Sequence, residues 1–234
     1  MAAGIFFDFD GTLSPLTVSR DEARVRNDVA EIIKALSSRY LIAVASSKDC
    51  NFLLSKAPYF HSYICVNGLE VITANYIIHD RALSNMELIR AINELSSYAR
   101  KLPNVYVEEK KSVVGLLLGI SVDWRYSIRP KDIDSLVDQA IGRGLHVLTY
   151  SNYPFIDIYI SRRNKGDAVR LVKSIYNLEK VIYVGDSEND EPAFKVADVS
   201  VLVRHEFNRD LKLDVDYEVN FDDLGRWLSS YVGH

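Results

Sequence analysis

Asp8 and Asp10 stand two positions apart, directly behind a short apolar run at residues 4–7. In an extended chain such a pair points to one side. Two facing carboxylates repel, and both stay ionised only where a cation or strong donors compensate them. Gly11-Thr12 follows at once, a turn whose backbone N–H groups can approach an anion closely. These residue types predict a metal site beside an anion site. Further segments carry matching groups: Ser46 and Ser47 close an apolar run at 40–45, and Asp186 closes another at 181–184, with Asp190 four residues on. Lys165 opens a helical pattern. Singly, each has an ordinary explanation. Asp and Ser after a strand cap helices or make turns, and a lone Lys is usually a solvated charge.

Together they suit phosphoryl transfer. Asp8 is the expected nucleophile, forming an aspartyl-phosphate. Asp10 is the expected acid toward the leaving oxygen and then base toward water. Asp8, Asp10 through its backbone carbonyl, and Asp186 are expected to hold a hard divalent cation, and oxygen-only ligands favour Mg2+. Asp190 is a further ligand or orients metal-bound water. Gly11, Thr12, Ser46, Ser47 and Lys165 are expected around the non-bridging phosphate oxygens.

Apolar periodicity supplies the elements that must position these groups. A helix is predicted over residues 21–38, strands at 40–45 and 63–66, and a tight turn at Asn67-Gly68 leading into strands at 69–73 and 76–79. Between about 80 and 164 the rhythm changes to helix, strand, strand, helix, strand, strand. Its helices are expected at 84–102, with Ser84 as N-cap and Glu87 completing a capping box, and at 130–143. Its strands are expected at 105–109, 113–122, 145–150 and 155–160. Alternation then resumes with a helix at 168–176, strands at 181–184 and 199–203, a short helix at 192–196 and a terminal helix at 221–231. This order predicts an α/β fold with a doubly wound, Rossmann-like parallel-sheet core over residues 1–80 and 164–234. A smaller α+β cap domain over 81–163 interrupts it. In such a sheet ligands bind beyond the carboxyl ends of the strands, where the four polar segments would converge.

The 234 residues are 48% hydrophobic and 26% charged, enough for a substantial core and too apolar for extensive disorder. The net charge of −4 and the lack of a basic run give no support to a nucleic-acid partner. Cys50 and Cys65 make no zinc spacing and are expected as buried thiols. No apolar stretch approaches eighteen residues and the first fifteen carry no secretory pattern, so no membrane association and a cytoplasmic location are expected. The expected assembly is a monomer or small homo-oligomer.

Asp8-Phe9-Asp10-Gly11-Thr12-Leu13, Ser46, Lys165 and Gly185-Asp186-Ser187-Glu188-Asn189-Asp190 resemble the four motifs of the haloacid dehalogenase (HAD) superfamily. The insert's order and place resemble that superfamily's C2B cap. Within this branch the chain is similar to trehalose-6-phosphate phosphatases at Asn67-Gly68-Leu69-Glu70, Asn164-Lys165-Gly166 and Asp190-Glu191 with Phe194, and in Glu109 and Lys111 as the cap's Glu-x-Lys. It departs from them at Leu118-Gly119-Ile120, where they have His-Tyr-Arg, and at Asp157 and Tyr159, where they have Glu and Arg. Ser46-Ser47-Lys48 instead resembles mannosyl-3-phosphoglycerate phosphatases. The resemblance implies a Mg2+-dependent phosphatase acting on a small-molecule phosphorylated sugar, trehalose-6-phosphate-like. Asn67, Gly68, Glu109, Lys111, Asp157 and Asn189 would then contact substrate. Mannosyl-3-phosphoglycerate or phosphoglycolate as substrate, and a phosphomutase, are the enzyme alternatives. A non-catalytic sugar-phosphate-binding module is the alternative of another class, and the presence of all four acids counts against it.

Overall fold

The computed structural model describes residues 3–150 and 153–231. In chain order the elements are β1 (Ala3–Phe7), α1 (Asn27–Leu36), β2 (Leu41–Ala45), α2 (Cys50–Lys56), β3 (Ser62–Cys65), β4 (Glu70–Ile72) and β5 (Ile77–His79). Next come α3 (Met86–Ala99), β6 (Tyr106–Lys111), β7 (Leu117–Asp123), α4 (Ile133–Gly142), β8 (His146–Thr149) and β9 (Phe155–Tyr159). The chain ends with α5 (Lys165–Ile175), β10 (Lys180–Gly185), α6 (Glu191–Phe194), β11 (Val199–Arg204), β12 (Tyr217–Asn220) and α7 (Leu224–Tyr231). The described residues form two compact units, one running to Ile78 and again from Asn164, the other His79–Arg163.

The first unit is built on one sheet in the order β12-β11-β10-β1-β2-β3-β4-β5. From β12 to β3 all pairings are parallel, and β4 turns back antiparallel to β3. Every residue of β2 is buried, as are the last four of β1. Helices on both faces require such continuously apolar strands. Phe6, Ala43, Tyr183, Val169, Val172 and Leu202 belong to one core cluster.

In the second unit an antiparallel sheet runs β6-β7-β9-β8. Helix α3 packs on β6 and β7, α4 on β8, and the two helices on each other. Ile120, Val122, Ile158, Ile92, Leu95 and Leu136 make its interior.

Several boundaries differ from the periodicity. Helix α1 starts at Asn27, not at 21, because the chain before it is tied to the β1 loop: Arg24 N–H donates to Ser14 Oγ at 3.2 Å and Arg26 N–H to Leu13 O at 3.0 Å. Asn85, not Ser84, caps α3, its side chain accepting the N–H groups of Glu87 at 3.0 Å and Leu88 at 3.4 Å. Strand β12 escapes the pattern because Val219 is its only buried residue. Cys50 and Cys65 are joined in a disulfide rather than standing as two thiols. Parallel pairing of β2 with β3 brings the start of α2 beside the end of β3, a neighbourhood that the spacing in sequence does not reveal.

Candidate active site

Strand β1 ends between β10 and β2, and Asp8 N–H continues the ladder by donating to Val184 O at 2.8 Å. This fixes the Asp8 backbone in the middle of the sheet's carboxyl edge. Gly11 then turns with φ +78°, and any side chain there would overlap the Asp186 carboxylate. Its N–H is already used, donating to Ser14 O at 2.8 Å. Thr12 Oγ1 lies 3.5 Å from Asp186 Oδ1. Ser46 follows β2, its N–H on Ile64 O at 2.8 Å, and its own carbonyl accepts the Asn67 N–H at 3.0 Å. Ser47 is the next residue of this loop. Asn67 takes a φ of 55°, and its Oδ1 is buried without a hydrogen-bond partner. Gly68, at φ +96°, lets the backbone lie against Asn164 O.

Asn164 caps α5, accepting the Asp167 N–H at 3.0 Å, so Lys165 enters as the first helical residue. Its ammonium is fully buried and donates to Asp8 Oδ1 at 2.7 Å, Asp190 Oδ1 at 2.7 Å and Asn189 Oδ1 at 3.0 Å. Asp190 also accepts Tyr183 O–H at 2.7 Å and the N–H groups of Asp186 and Ser187 at 3.0 and 3.1 Å. One ligand oxygen from each of Asp8, Asp186 and Asp190 falls within 4.8 Å of the others, and all three residues are buried.

Three carboxylates thus face one ammonium. Burial pushes the Asp8 carboxyl well above its usual range; Lys165 pulls it down, Asp190 and Asp186 push it up again, and the raising influences win. Burial and then Asp190 do the same to Asp186. Burial opposes the Lys165 charge, yet Asp190 and Asp8 outweigh it and hold the ammonium above its ordinary value. A cluster that lifts its own carboxyls in this way is short of positive charge, and its oxygen-only donors suit a hard divalent cation. Asp10 is set apart: its side chain is 30% exposed against 7% for Asp8, and its Oδ2 lies 3.6 Å from Lys48 Nζ.

The second unit separates the other expected contacts. Glu109 and Lys111 lie on the helix-bearing face of the sheet, where Glu109 Oε1 meets Ser96 Oγ at 2.9 Å and Arg100 at 2.7 Å, and Oε2 meets Lys111 at 2.9 Å. Asp157 is on the opposite face, accepting Ser121 Oγ and, at 2.7 Å, Tyr150 O–H. Pairing of Glu108 with Ser121, and of Ser121 with Asp157, puts these three in one row, and Lys110 two residues on shares their face. Strand alternation is the sequence signal that separates 108 and 110 from 109 and 111. Lys48, Tyr183, His205 and Asn208 also touch the acid cluster or Asp10 and were outside the expected set. Tyr183 reads in sequence as a core aromatic of β10, and its hydroxyl partner is visible only in three dimensions.

The parallel sheet and the site at its carboxyl edge define a phosphoric monoester hydrolase of the HAD superfamily. The chain belongs to the trehalose-phosphatase family, whose model matches residues 6–212. Similar proteins include a trehalose-6-phosphate phosphatase-related protein of Thermoplasma acidophilum, 24% identical over 204 residues and covering 86% of this chain and 85% of that one. A phosphoglycolate phosphatase of Sulfurisphaera tokodaii is 28% identical over 206 residues, covering 85% and 80%. Among solved structures, a sugar phosphatase of HAD subclass IIB superposes with a TM-score of 0.68 at 18% identity, covering 100% of this chain and 99% of that one. Among the described residues no helix is long and apolar enough to cross a membrane.

Proposed function

We propose that the protein hydrolyses a phosphorylated sugar, of the trehalose-6-phosphate kind, through an aspartyl-phosphate on Asp8. The observation that carries this is the buried group of Asp8, Asp186 and Asp190 around the Lys165 ammonium. An Asp8 carboxylate oxygen forms a bond to phosphorus while the bond from phosphorus to the leaving oxygen breaks. Asp10, the more exposed acid, gives that oxygen its proton. Water then attacks phosphorus, Asp10 takes the water's proton, and the bond to Asp8 breaks to release phosphate. Lys165 would pair with charge spreading over the non-bridging oxygens, and Ser46, Ser47, Thr12 and the Gly11 turn would bind those oxygens as well. Asp8 and Asp186, with Asp190 and the Asp10 carbonyl, would hold Mg2+, which supplies charge neutralisation for the phosphoryl group.

In the second unit, sugar selection would lie with the sheet face away from its helices, Glu108, Lys110 and Asp157, rather than with Glu109 and Lys111; in the first unit, Asn67 and Asn189 are the proposed substrate contacts. Phosphoglycolate is the second reading, favoured by the Sulfurisphaera relative and by the Lys48 ammonium beside Asp10, which could pair with a carboxylate near the leaving oxygen. Either substrate suits a cytoplasmic enzyme, monomeric or a small homo-oligomer. The test is phosphate release from trehalose 6-phosphate, mannosyl-3-phosphoglycerate and phosphoglycolate, each with Mg2+ and with EDTA. Metal-dependent release is expected for at least one, and release from none overturns the reading. Asp8→Asn is expected to abolish turnover while the circular-dichroism spectrum stays intact; retained turnover removes Asp8 as nucleophile.

A further inference from the structure

The loop after β11 grips Asp186 at two points. His205 Nε2 lies 2.9 Å from Asp186 Oδ2. The other ring nitrogen, Nδ1, accepts the Phe207 N–H at 3.2 Å. A nitrogen that accepts cannot carry the proton, so a neutral ring holds its proton on Nε2 and donates it to Asp186. Asn208, 1% exposed, donates from Nδ2 to the carbonyls of Asp186 and Val203, both at 2.7 Å. Its Oδ1 accepts the His205 N–H at 2.9 Å. One buried amide therefore joins the end of β11, the His205 backbone and the Asp186 backbone. Arg204 fastens the same loop by donating to the carbonyls of Asn208 at 2.9 Å and Leu211 at 2.7 Å.

The three acids are held unequally. Asp190 is fixed by Lys165, Tyr183 and two backbone N–H groups, and Asp8 by Lys165. On the Asp186 carboxylate Thr12 reaches only to 3.5 Å and the side-chain hydrogen bond with Asp8 is to a fellow acid, while His205 supplies a short contact from a nitrogen at 2.9 Å. We propose that His205 and Asn208 are positioning residues for Asp186 as a metal ligand: His205 fixes the rotation of its carboxylate, and Asn208 the place of its backbone. The inference rests on the reading that Asp186 binds a divalent cation. Hydrogen-bond partners behind a ligating carboxylate commonly contribute about 10–100-fold to metal affinity.

Mg2+ binding to the full chain by titration calorimetry, with melting of the EDTA-treated protein alongside, tests this. His205→Ala is expected to weaken Mg2+ by about 10–100-fold, and His205→Gln, which keeps an N–H donor, to recover most of the loss. Asn208→Ala is expected to weaken it as well. A purely structural role would lower the melting temperature of the EDTA-treated variants and leave the Mg2+ dissociation constant where it was; that result overturns the proposal. Should Asn208→Ala fail to fold, the two His205 variants decide, because that ring stands at the wall of a cavity of about 650 Å³ and the Gln variant keeps a donor in its place. Wild type that binds Mg2+ with variants that bind equally well overturns this inference alone. Wild type that binds no Mg2+ overturns the metal reading and this one together.

Discussion

Asp8 and Asp186 hold their protons, without metal, to higher pH than they would in the unfolded chain. Between the ordinary carboxyl pKa and those raised values the folded state binds more protons, so these two groups contribute stability that falls as pH rises. Under the proposed function Mg2+ would have to displace the same protons, so its affinity should grow with pH over that window. The gap in melting temperature between Mg2+ and EDTA samples should therefore widen from about pH 4 upward, where carboxyls begin to ionise. Depressed carboxyls elsewhere, such as Asp198, act with the opposite sign but cancel in that difference; a gap that narrows with pH contradicts the raised pair. Lys165→Met leaves Asp8 and Asp190 without their ammonium. Breaking a buried pair from one side costs on the order of 3–5 kcal/mol, and urea titration in EDTA at pH 8 should show a loss of that size, smaller at pH 5 as the raised Asp8 carboxyl protonates. The acids and the lysine are legible in sequence because each stands at a strand end or helix start. His205 and Asn208 are not, since their chemistry lies in what they touch across 19 and 22 residues.

The strands read well where they are buried on both faces, as in β1, β2 and β10, and also at β5, β8 and β9, whereas the face on which a functional side chain of a half-exposed strand lies is harder to read. The β6 strand shows why: Glu109 and Lys111 look like a substrate motif until alternation turns them toward α3. Glu109→Ala should therefore act mainly on stability, by about 0–1 kcal/mol for so exposed a group of ion pairs. Asp157→Asn or Lys110→Ala should instead raise KM for the sugar phosphate several-fold more than for a small aryl phosphate, and equal effects on both would argue against that face as the selecting one. The disulfide ties the α2 start, just past Ser46, to the β3 end, just before Asn67. Closing a loop of 15 residues stabilises by ~3 kcal/mol in the chain-entropy account. Both sulfurs are buried, so a reductant added to native protein should act slowly. Once reduced in denaturant and refolded as thiols, the protein should melt lower by on the order of 6–12 °C; an unchanged melting curve would show that the bond adds nothing.

At the scale of the molecule, the described residues form two compact units, and the sequence signals the division by a change of rhythm near residues 80 and 164. The unit that holds the candidate site is made of two distant stretches of chain. Its central strand, β1, has β2 on one side and β10 on the other, so Asp8 and the Asp186 that it faces come from distant stretches of the chain. During synthesis β1 can pair with β2 early, but its other edge stays unpaired until β10 emerges. Thr12 and Asp186 are 174 residues apart, which is on the order of ten to thirty seconds of elongation at about 5–20 residues per second. For that interval the growing chain carries an unpaired apolar strand edge. The nascent chain, more than the folded protein, is the form that exposes an aggregation-prone edge.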